Sequence, residues 1–341
     1  KDDEIITLKN GGTLPQIKRT VGFLWLEIPE TEFGDSYMNE NGVAIASNQC
    51  LSREDKAVLT NGGIGFMLRR ILAERATSAR HAVEIAGELV DQWGYYSSGR
   101  TYSIADAKEA WVLHIVKGKH WIAQRVPDDQ VAVISNRYTI ENIDLTDTKN
   151  FMGSPDLVEY ATKRGWYNTS SDGKFNFARV YSSPGNYISE GNVLRQWRGT
   201  ALLAKKKFKP DEPLPFSFLP RKNVKLLDLT RVLRDHYEET EYDLTNNYKE
   251  GSPNFTKKRT ICTESTMYAF VVQSRAGLPK EIASLVWITL GRPDSNAFSP
   301  WYVSITGTPE GYSQVDSETA LEDHFKQPPS ISKSHSHYAF P

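Results

Sequence analysis

The alternation of apolar and polar residues near the start of the chain predicts strands. The apolar positions of residues 20–28 indicate one strand: Val21, Phe23, Trp25 and Ile28. Residues 39–42, Asn-Glu-Asn-Gly, signal a hairpin because asparagine and glycine tolerate positive φ. Residues 43–47 are therefore expected to form the return strand, which leads directly into the amide side chains of Asn48 and Gln49 and then into Cys50.

Apolar residues next recur at helical spacing in two consecutive segments. The first segment is defined by Ile64, Met67, Leu68, Ile71 and Leu72. Thr77 or Ser78 can cap the second helix, and Gly94 is expected to stop it. The apolar face of the second helix is formed by Ala82, Ile85, Leu89 and Trp93. The pattern thus predicts two amphipathic helices after the hairpin.

The following block is rich in β-branched and aromatic residues and predicts an antiparallel meander. Its expected strands are residues 101–105, 110–116, 120–126 and 130–135. Gly118 and the Pro-Asp-Asp turn at 127–129 separate the last three strands. Strands, two helices and further strands in this order favour helices packed on an antiparallel sheet.

The second half of the chain has a mixed pattern. Helices are expected over residues 190–206 and 224–236, with an exposed lysine- and proline-rich segment at 205–220 between them. Strands are expected over residues 261–273 and 284–290, and an irregular segment near the end of the chain.

The charge and the apolar runs exclude some classes of partner. The formal net charge is −1, so no overall field favours nucleic acid or an anionic membrane. The apolar run at 285–290 is far too short to span a bilayer. The chain begins at Lys1 and leads at once into strand-like residues, which gives the expectation that it starts within a domain.

The residues that could bind a metal or act as a nucleophile give no strong signal on their own. The seven histidines include no His-Glu-x-x-His pair, and no paired Cys-x-x-Cys is present, so we expect neither a metal nor a cofactor. Cys50 and Cys262 are the only cysteines. A nucleophilic cysteine needs a base, and no histidine lies near Cys50 in sequence, so a structural role is expected for both.

Several separate segments nevertheless resemble one family. Residues 39–45 are similar to the "NE-x-G-[hydrophobic]-A" hairpin of N-terminal-nucleophile hydrolases, which include the cysteine dipeptidases of the dipeptidase-A type and their secernin relatives. Residues 120–129, His-Trp-Ile-Ala-Gln-Arg-Val-Pro-Asp-Asp, match the dipeptidases' "HWVA-x-RVPDD". The likeness covers most of residues 20–325 in order, and further similar segments are residues 76–82, 102–111, 133–140, 278–282 and 287–293.

The resemblance implies an αββα sandwich, with two antiparallel sheets between helical layers, as a single domain over residues 1–325 followed by an irregular segment at 326–341. It also implies hydrolysis of dipeptides or short peptides by an N-terminal cysteine whose own α-amino group is the general base. The family's Cys-Thr start with a following Asp-Gly-Ser is absent, and the Cys262-Thr263 pair lacks that continuation. The nucleophile is therefore expected in an N-terminal segment upstream of this sequence, and the chain alone should be inactive.

By alignment with the family, Asn136 is the first candidate site residue, as a substrate anchor or oxyanion donor. Asn48 or Gln49 is the second oxyanion candidate, with the register uncertain by one residue. Arg198, with Arg195 beside it, is expected to bind a substrate carboxylate.

Two other functions stay open. They are an amidase of the penicillin V or bile-salt acylase type and a secernin-like binding protein without turnover. The resemblance also favours export from the cell over a cytoplasmic location and allows a homo-oligomer, while the small peptide substrate is the expected partner.

Overall fold

The computed structural model describes residues 4–27, 34–245 and 259–309, and three antiparallel sheets lie within these ranges. A small hairpin pairs β1 (Ile5–Thr7) with β2 (Thr13–Pro15). A seven-stranded sheet contains, in chain order, β3 (Phe23–Trp25), β4 (Ser36–Asn39), β5 (Ala44–Gln49), β6 (Tyr95–Ala105), β7 (Ala110–Gly118), β8 (Trp121–Val126) and β9 (Phe151–Gly153). A three-stranded sheet contains β10 (Tyr268–Ser274), β11 (Ser284–Leu290) and β12 (Ser299–Tyr302).

The helices of the described residues are mostly short. They are α1 (Met67–Arg75), α2 (Ala79–Trp93), α3 (Leu157–Lys163), α4 (Phe177–Tyr181), α5 (Pro184–Tyr187), α6 (Glu190–Leu203), α7 (Leu226–Leu233) and α8 (Lys280–Ala283). The predicted cap of α2 is confirmed, since Ser78 Oγ accepts a hydrogen bond from the His81 amide at 3.1 Å. Gly94 ends α2 at a positive φ of 74°, which glycine adopts without strain. None of these helices is long and apolar enough to cross a membrane.

The two faces of the seven-stranded sheet are covered by different layers. Helices α1 and α2 pack on one face, where Leu68 and Val83 meet Ile45, Tyr102 and Leu113. Side chains along a strand point alternately to the two faces of the sheet, so every second residue of β5 points to the face covered by α1 and α2.

On the other face, Met38 and Ala44 pack against Val286 and Ile288 of the three-stranded sheet. Further along the same face, Cys50 belongs to a separate aromatic cluster that includes Tyr138 and Phe177. Asn48 of β5 points to the same face as Ala44 and Cys50 and lies between them in the chain. It is therefore at the boundary between the three-stranded sheet and the aromatic cluster.

The predicted fold class is confirmed as a mixed structure of antiparallel sheets with few helices. The helix-covered large sheet and the packed smaller sheet form three of the four expected layers, and α7 contacts β10 of the smaller sheet. The irregular segment expected at 326–341 lies outside the described residues.

One predicted strand is wrong. Residues 130–135 are not a strand of the meander, because β9 takes the place beside β8, pairing Ile122 with Gly153. Val131 instead forms an isolated bridge with Phe218, far along the chain. Other predicted elements differ only in length: β3 and β10 are shorter than expected, α6 ends at Leu203, and α7 covers only Leu226–Leu233. Helices α3, α4 and α5 and strand β9 were not predicted.

Candidate active site

The Asn136 side chain lies at the centre of a hydrogen-bonded group that joins three distant segments. Its Nδ2 donates to the Gln49 carbonyl oxygen at 2.9 Å, and its Oδ1 accepts from Arg195 Nη1 at 2.9 Å. A guanidinium can only donate and a carbonyl oxygen can only accept, so these two contacts fix which end of the amide carries nitrogen. One of the two Nδ2 hydrogens is used in these contacts, which leaves one donor for another acceptor.

The backbone of Asn136 is held by two further asparagines that the sequence did not point to. Asn186 Nδ2 and Asn192 Nδ2 both donate to the Asn136 carbonyl oxygen at 3.0 Å. Asn192 Oδ1 also accepts from Arg195 Nη2 at 2.7 Å, so Arg195 donates hydrogen bonds to both Asn136 and Asn192. The sequence carried no specific signal for either residue, since Asn186 lies in the serine-rich stretch before α6 and Asn192 in the first turn of α6 itself.

Arg195 carries a charge that the described residues do not neutralise. Its Nε donates to the Gly191 carbonyl oxygen at 2.8 Å, and its other contacts are with Asn136 and Asn192. No carboxylate in the described part of the chain forms an ion pair with it. Burial and the nearby charge of Arg259 lower the pKa of Arg195 to about 10, so the guanidinium remains protonated at neutral pH. A partly exposed cation of this kind is suited to bind an anion.

Asn48 and Gln49 differ in what their side chains can still donate. Asn48 Nδ2 donates to the Ser135 carbonyl oxygen at 2.6 Å and lies 3.7 Å from Cys50 Sγ, so both of its hydrogens are directed at protein atoms. Gln49 is exposed, and its Nε2 donates to Ser98 Oγ at 3.0 Å. Four of the five predicted site residues, Asn48, Gln49, Asn136 and Arg195, are thus brought into one neighbourhood.

A series of buried side-chain contacts leads from Asn48 through Cys50 and Thr101 to His114. Cys50 Sγ lies 3.0 Å from Thr101 Oγ1, which lies 2.8 Å from His114 Nδ1. His114 Nε2 accepts from the Thr139 amide at 2.9 Å, so the ring proton is on Nδ1 and is donated to Thr101. Burial lowers the pKa of His114 to about 3, which keeps the ring neutral.

This buried neutral histidine makes the stability of the protein depend on pH. The unfolded chain binds a proton at His114 near pH 6.5, whereas the folded protein excludes it until about pH 3. The free energy of unfolding should therefore fall as the pH is lowered, by up to ~1.4 kcal/mol per pH unit from this residue. Urea unfolding between roughly pH 6 and 4.5, above the range in which most carboxylates titrate, measures the effect.

The matched variant for this prediction is His114→Gln, which keeps a donor and an acceptor but does not titrate. The slope of its unfolding free energy against pH should be smaller than the wild-type slope by up to ~1.4 kcal/mol per pH unit, the contribution of one proton. Equal slopes in the two proteins would show that His114 is not excluded from protonation in the folded state.

Neither cysteine in this chain is placed to attack a substrate. Cys50 and Cys262 are free thiols that are both fully buried. Burial raises the pKa of Cys50 to about 12, so its thiol stays protonated. The expected structural role of Cys50 agrees with this environment.

Arg198 lies on the same helix as Arg195 but is already paired. Its Nε is 2.8 Å from Asp235 Oδ1, its Nη2 is 2.7 Å from Asp235 Oδ2, and the two side chains are only 11% and 4% exposed. Nη2 also donates to the Glu238 carbonyl oxygen at 2.8 Å. The sequence could not reveal this partner, because Asp235 follows a different helix, and a substrate carboxylate would have to displace it.

A second charged group, which no sequence pattern indicated, lies between α1 and the large sheet. Arg69 and Arg100 both contact Asp35 Oδ1, and Arg100 Nε donates to Ser47 Oγ at 3.0 Å. Ser47 precedes Asn48 on β5, so its side chain points to the opposite, helix-covered face of the sheet. This group anchors the end of β5 that carries the candidate site.

Comparison with known proteins points to one family. The model of peptidase family C69 matches residues 29–335. A probable dipeptidase from Latilactobacillus sakei is 26% identical over 335 residues, covering 95% of this chain and 69% of the relative. A probable dipeptidase from Salmonella dublin is 26% identical and covers 80% of this chain and 64% of the relative.

Dipeptidase A from Lactobacillus helveticus is 28% identical and covers 69% of this chain, but only 49% of its own length is matched. The chain therefore spans less than two thirds of the Salmonella and Lactobacillus relatives. Among solved structures, penicillin V acylase from Agrobacterium tumefaciens matches 35% of this chain at 12% identity, with 36% of that protein covered and a TM-score of 0.27. That likeness is too weak to bear on either fold or function.

Proposed function

Because this chain belongs to peptidase family C69, we propose that it is the substrate-binding scaffold of a cysteine-type dipeptidase. The observation that carries the proposal is the Asn136 amide, whose orientation is fixed by Arg195 and the Gln49 carbonyl and which keeps one N–H donor. An oriented amide donor is what stabilises the oxyanion that forms when a peptide carbonyl is attacked.

The attacking thiol in this proposal does not come from Cys50 or Cys262, since both are buried. In the proposal it belongs to the N-terminal cysteine that the resemblance to the dipeptidases implies, whose α-amino group, with an ordinary pKa of ~8, accepts the thiol proton. The thiolate adds to the carbonyl carbon, and the oxygen becomes negatively charged. Collapse of this intermediate breaks the C–N bond, the leaving amine takes the proton, and water then hydrolyses the thioester.

In this mechanism the roles of the site residues follow from what each can still donate. Asn136 donates to the oxyanion through its remaining Nδ2 hydrogen. Asn48 positions the Ser135–Asn136 segment through its bond with the Ser135 carbonyl oxygen. Gln49 holds Asn136 through its backbone carbonyl oxygen.

Arg195 is the residue we propose for the substrate's terminal carboxylate. It is protonated, partly exposed and adjacent to Asn136, whereas Arg198 is occupied by Asp235. A dipeptide has a carboxylate close to its scissile bond, so an anion site next to the oxyanion donor selects short peptides over longer ones.

The test compares free dipeptides, the same dipeptides with amidated C-termini, and N-acyl amino acids, using the full-length protein. Free dipeptides should be hydrolysed. Amidation should raise KM by about tenfold to a hundredfold, which is the loss of affinity expected when one hydrogen bond to a charged group is removed. Arg195→Met should remove this difference in KM between free and amidated peptides. It should also lower kcat for both, because Arg195 orients Asn136.

Two further results decide the proposal. Changing the terminal cysteine to serine should abolish turnover. If Arg195→Met keeps the preference for a free carboxylate, another residue binds that group. Cleavage of N-acyl amino acids with no release of amino acids from dipeptides would replace the dipeptidase assignment by an acylase.

A further inference from the structure

A second group of reactive side chains lies outside the candidate active site. His236 follows α7, Cys262 belongs to the segment before β10, and Asp294 lies in the turn after β11. The possible ligand atoms of these three residues all lie within 4.8 Å of one another. His236 is 2% exposed and Cys262 is fully buried, while the Asp294 side chain is 16% exposed.

The geometry around His236 Nε2 resembles that of a metal-coordination site. Asp294 Oδ2 is 3.3 Å from Nε2, yet the buried Nε2 makes no hydrogen bond of regular geometry within the described residues. Two ligands at about 2.0–2.1 Å from a tetrahedral zinc ion are themselves about 3.3 Å apart. The observed spacing between nitrogen and oxygen is therefore that of two corners of such a site.

The other ring nitrogen of His236 is held by a carboxylate. Glu238 Oε1 is 3.0 Å from His236 Nδ1, and Glu238 Oε2 accepts from the His236 amide at 2.7 Å. Metal-binding histidines commonly donate their second N–H to a carboxylate, which fixes the ring and directs the free nitrogen at the metal. Asp294 directs Oδ2 at His236 Nε2, while its Oδ1 accepts from Ser295 Oγ at 3.1 Å and lies 3.7 Å from Arg292 Nε.

We propose that His236, Cys262 and Asp294 form a binding site for a divalent transition metal of the zinc type, with Glu238 as the positioning residue. A thiolate and an imidazole together select zinc-like metals over calcium or magnesium, which prefer oxygen ligands. Water would complete the tetrahedron on the side where Asp294 is exposed. The ion would join the end of α7, the segment before β10 and the turn after β11.

Without a metal, a proton can occupy the same cluster. Burial by itself lowers the pKa of His236, but contacts with Asp294, Cys262 and Glu238 outweigh it and raise the pKa to about 12. An imidazolium held by two carboxylates is therefore the competing explanation for the convergence. It binds no metal and needs no thiolate, so the two explanations give opposite experimental results.

The test uses the full chain, treated with a chelator, desalted and titrated with Zn²⁺ or Co²⁺. Wild type should take up about one equivalent of metal, and the cobalt form should show a thiolate-to-metal charge-transfer band and tetrahedral ligand-field bands. Zn²⁺ should also raise the melting temperature, because the metal binds the folded state. A folded wild type that retains no stoichiometric metal would overturn the proposal.

Variants separate the ligands from the positioning residue. Cys262→Ser should remove the charge-transfer band, whereas Cys50→Ser, the matched change at the other buried thiol, should keep it. Asp294→Asn should weaken binding, and Glu238→Gln should keep the band but lower affinity about 10- to 100-fold. If Cys262→Ser does not fold, the wild-type cobalt spectrum decides alone, and a spectrum without a thiolate band contradicts the assignment.

Discussion

Asn136→Ala is expected to lower kcat/KM for dipeptide hydrolysis by about a hundredfold to a thousandfold, the usual cost of losing one oxyanion donor. The physical reason is that the amide is already oriented by Arg195 and by the Gln49 carbonyl, so its remaining hydrogen is available without reorganisation when charge develops. Steady-state kinetics of the full-length protein with a free dipeptide measures the loss.

The stability of this variant has to be measured with its activity. Within the described residues the Asn136 side chain makes two hydrogen bonds, and their removal should lower the free energy of unfolding by only ~1–3 kcal/mol. Asn150→Ala is the matched control, because Asn150 bonds Asp147 beside the edge strand β9 and has no part in the site. Activity of Asn136→Ala within a few-fold of wild type, in a folded protein, would remove Asn136 from the mechanism.

Arg198→Met is expected to lower the free energy of unfolding by about 3–5 kcal/mol, more than Asn136→Ala does. The change leaves the Asp235 carboxylate buried without its cation, and Asp235 is only 4% exposed at its side chain. Burial raises the pKa of Asp235 even with Arg198 present, so the isolated carboxylate would be still less favourable. Urea unfolding of the variant at neutral pH measures the effect.

The double variant Arg198→Met with Asp235→Leu should recover part of the loss, because no unpaired charge then remains buried. Arg231→Met, on the exposed part of α7, is the control and should change stability by less than ~0.5 kcal/mol. A folded Arg198→Met protein with near-normal stability and a raised KM for dipeptides would instead support Arg198 as the carboxylate ligand suggested by the sequence.

Local sequence signals determined much of the architecture. The Ser78 cap and Gly94 stop of α2 depend on backbone groups within one or two turns, and both were found as expected. The hairpin at 39–42 and the meander of β6, β7 and β8 likewise depend on alternation and on turn residues between neighbouring strands. Family motifs then led to Asn136, Asn48 and Gln49, which lie together in the structure.

What the sequence could not decide was which distant residues meet. Residues 130–135 have the composition of a strand, but strand pairing needs a free neighbouring edge, and β9 occupies it. Arg195 and Arg198 are three positions apart on one helix. Only their tertiary neighbours show that Arg198 is in a buried ion pair, whereas Arg195 has no carboxylate partner among the residues that the structure describes.

The sequence by itself therefore determined helices α1, α2 and α6, strands β5 to β8, the family and a short set of candidate residues. Only the tertiary structure brought His236, Cys262 and Asp294 within 4.8 Å of one another, although nothing in their spacing suggested a metal site. The reason is physical: hydrophobic periodicity and capping act over a few residues, whereas a charge or a ligand atom acquires its partner through the packing of segments far apart in the chain.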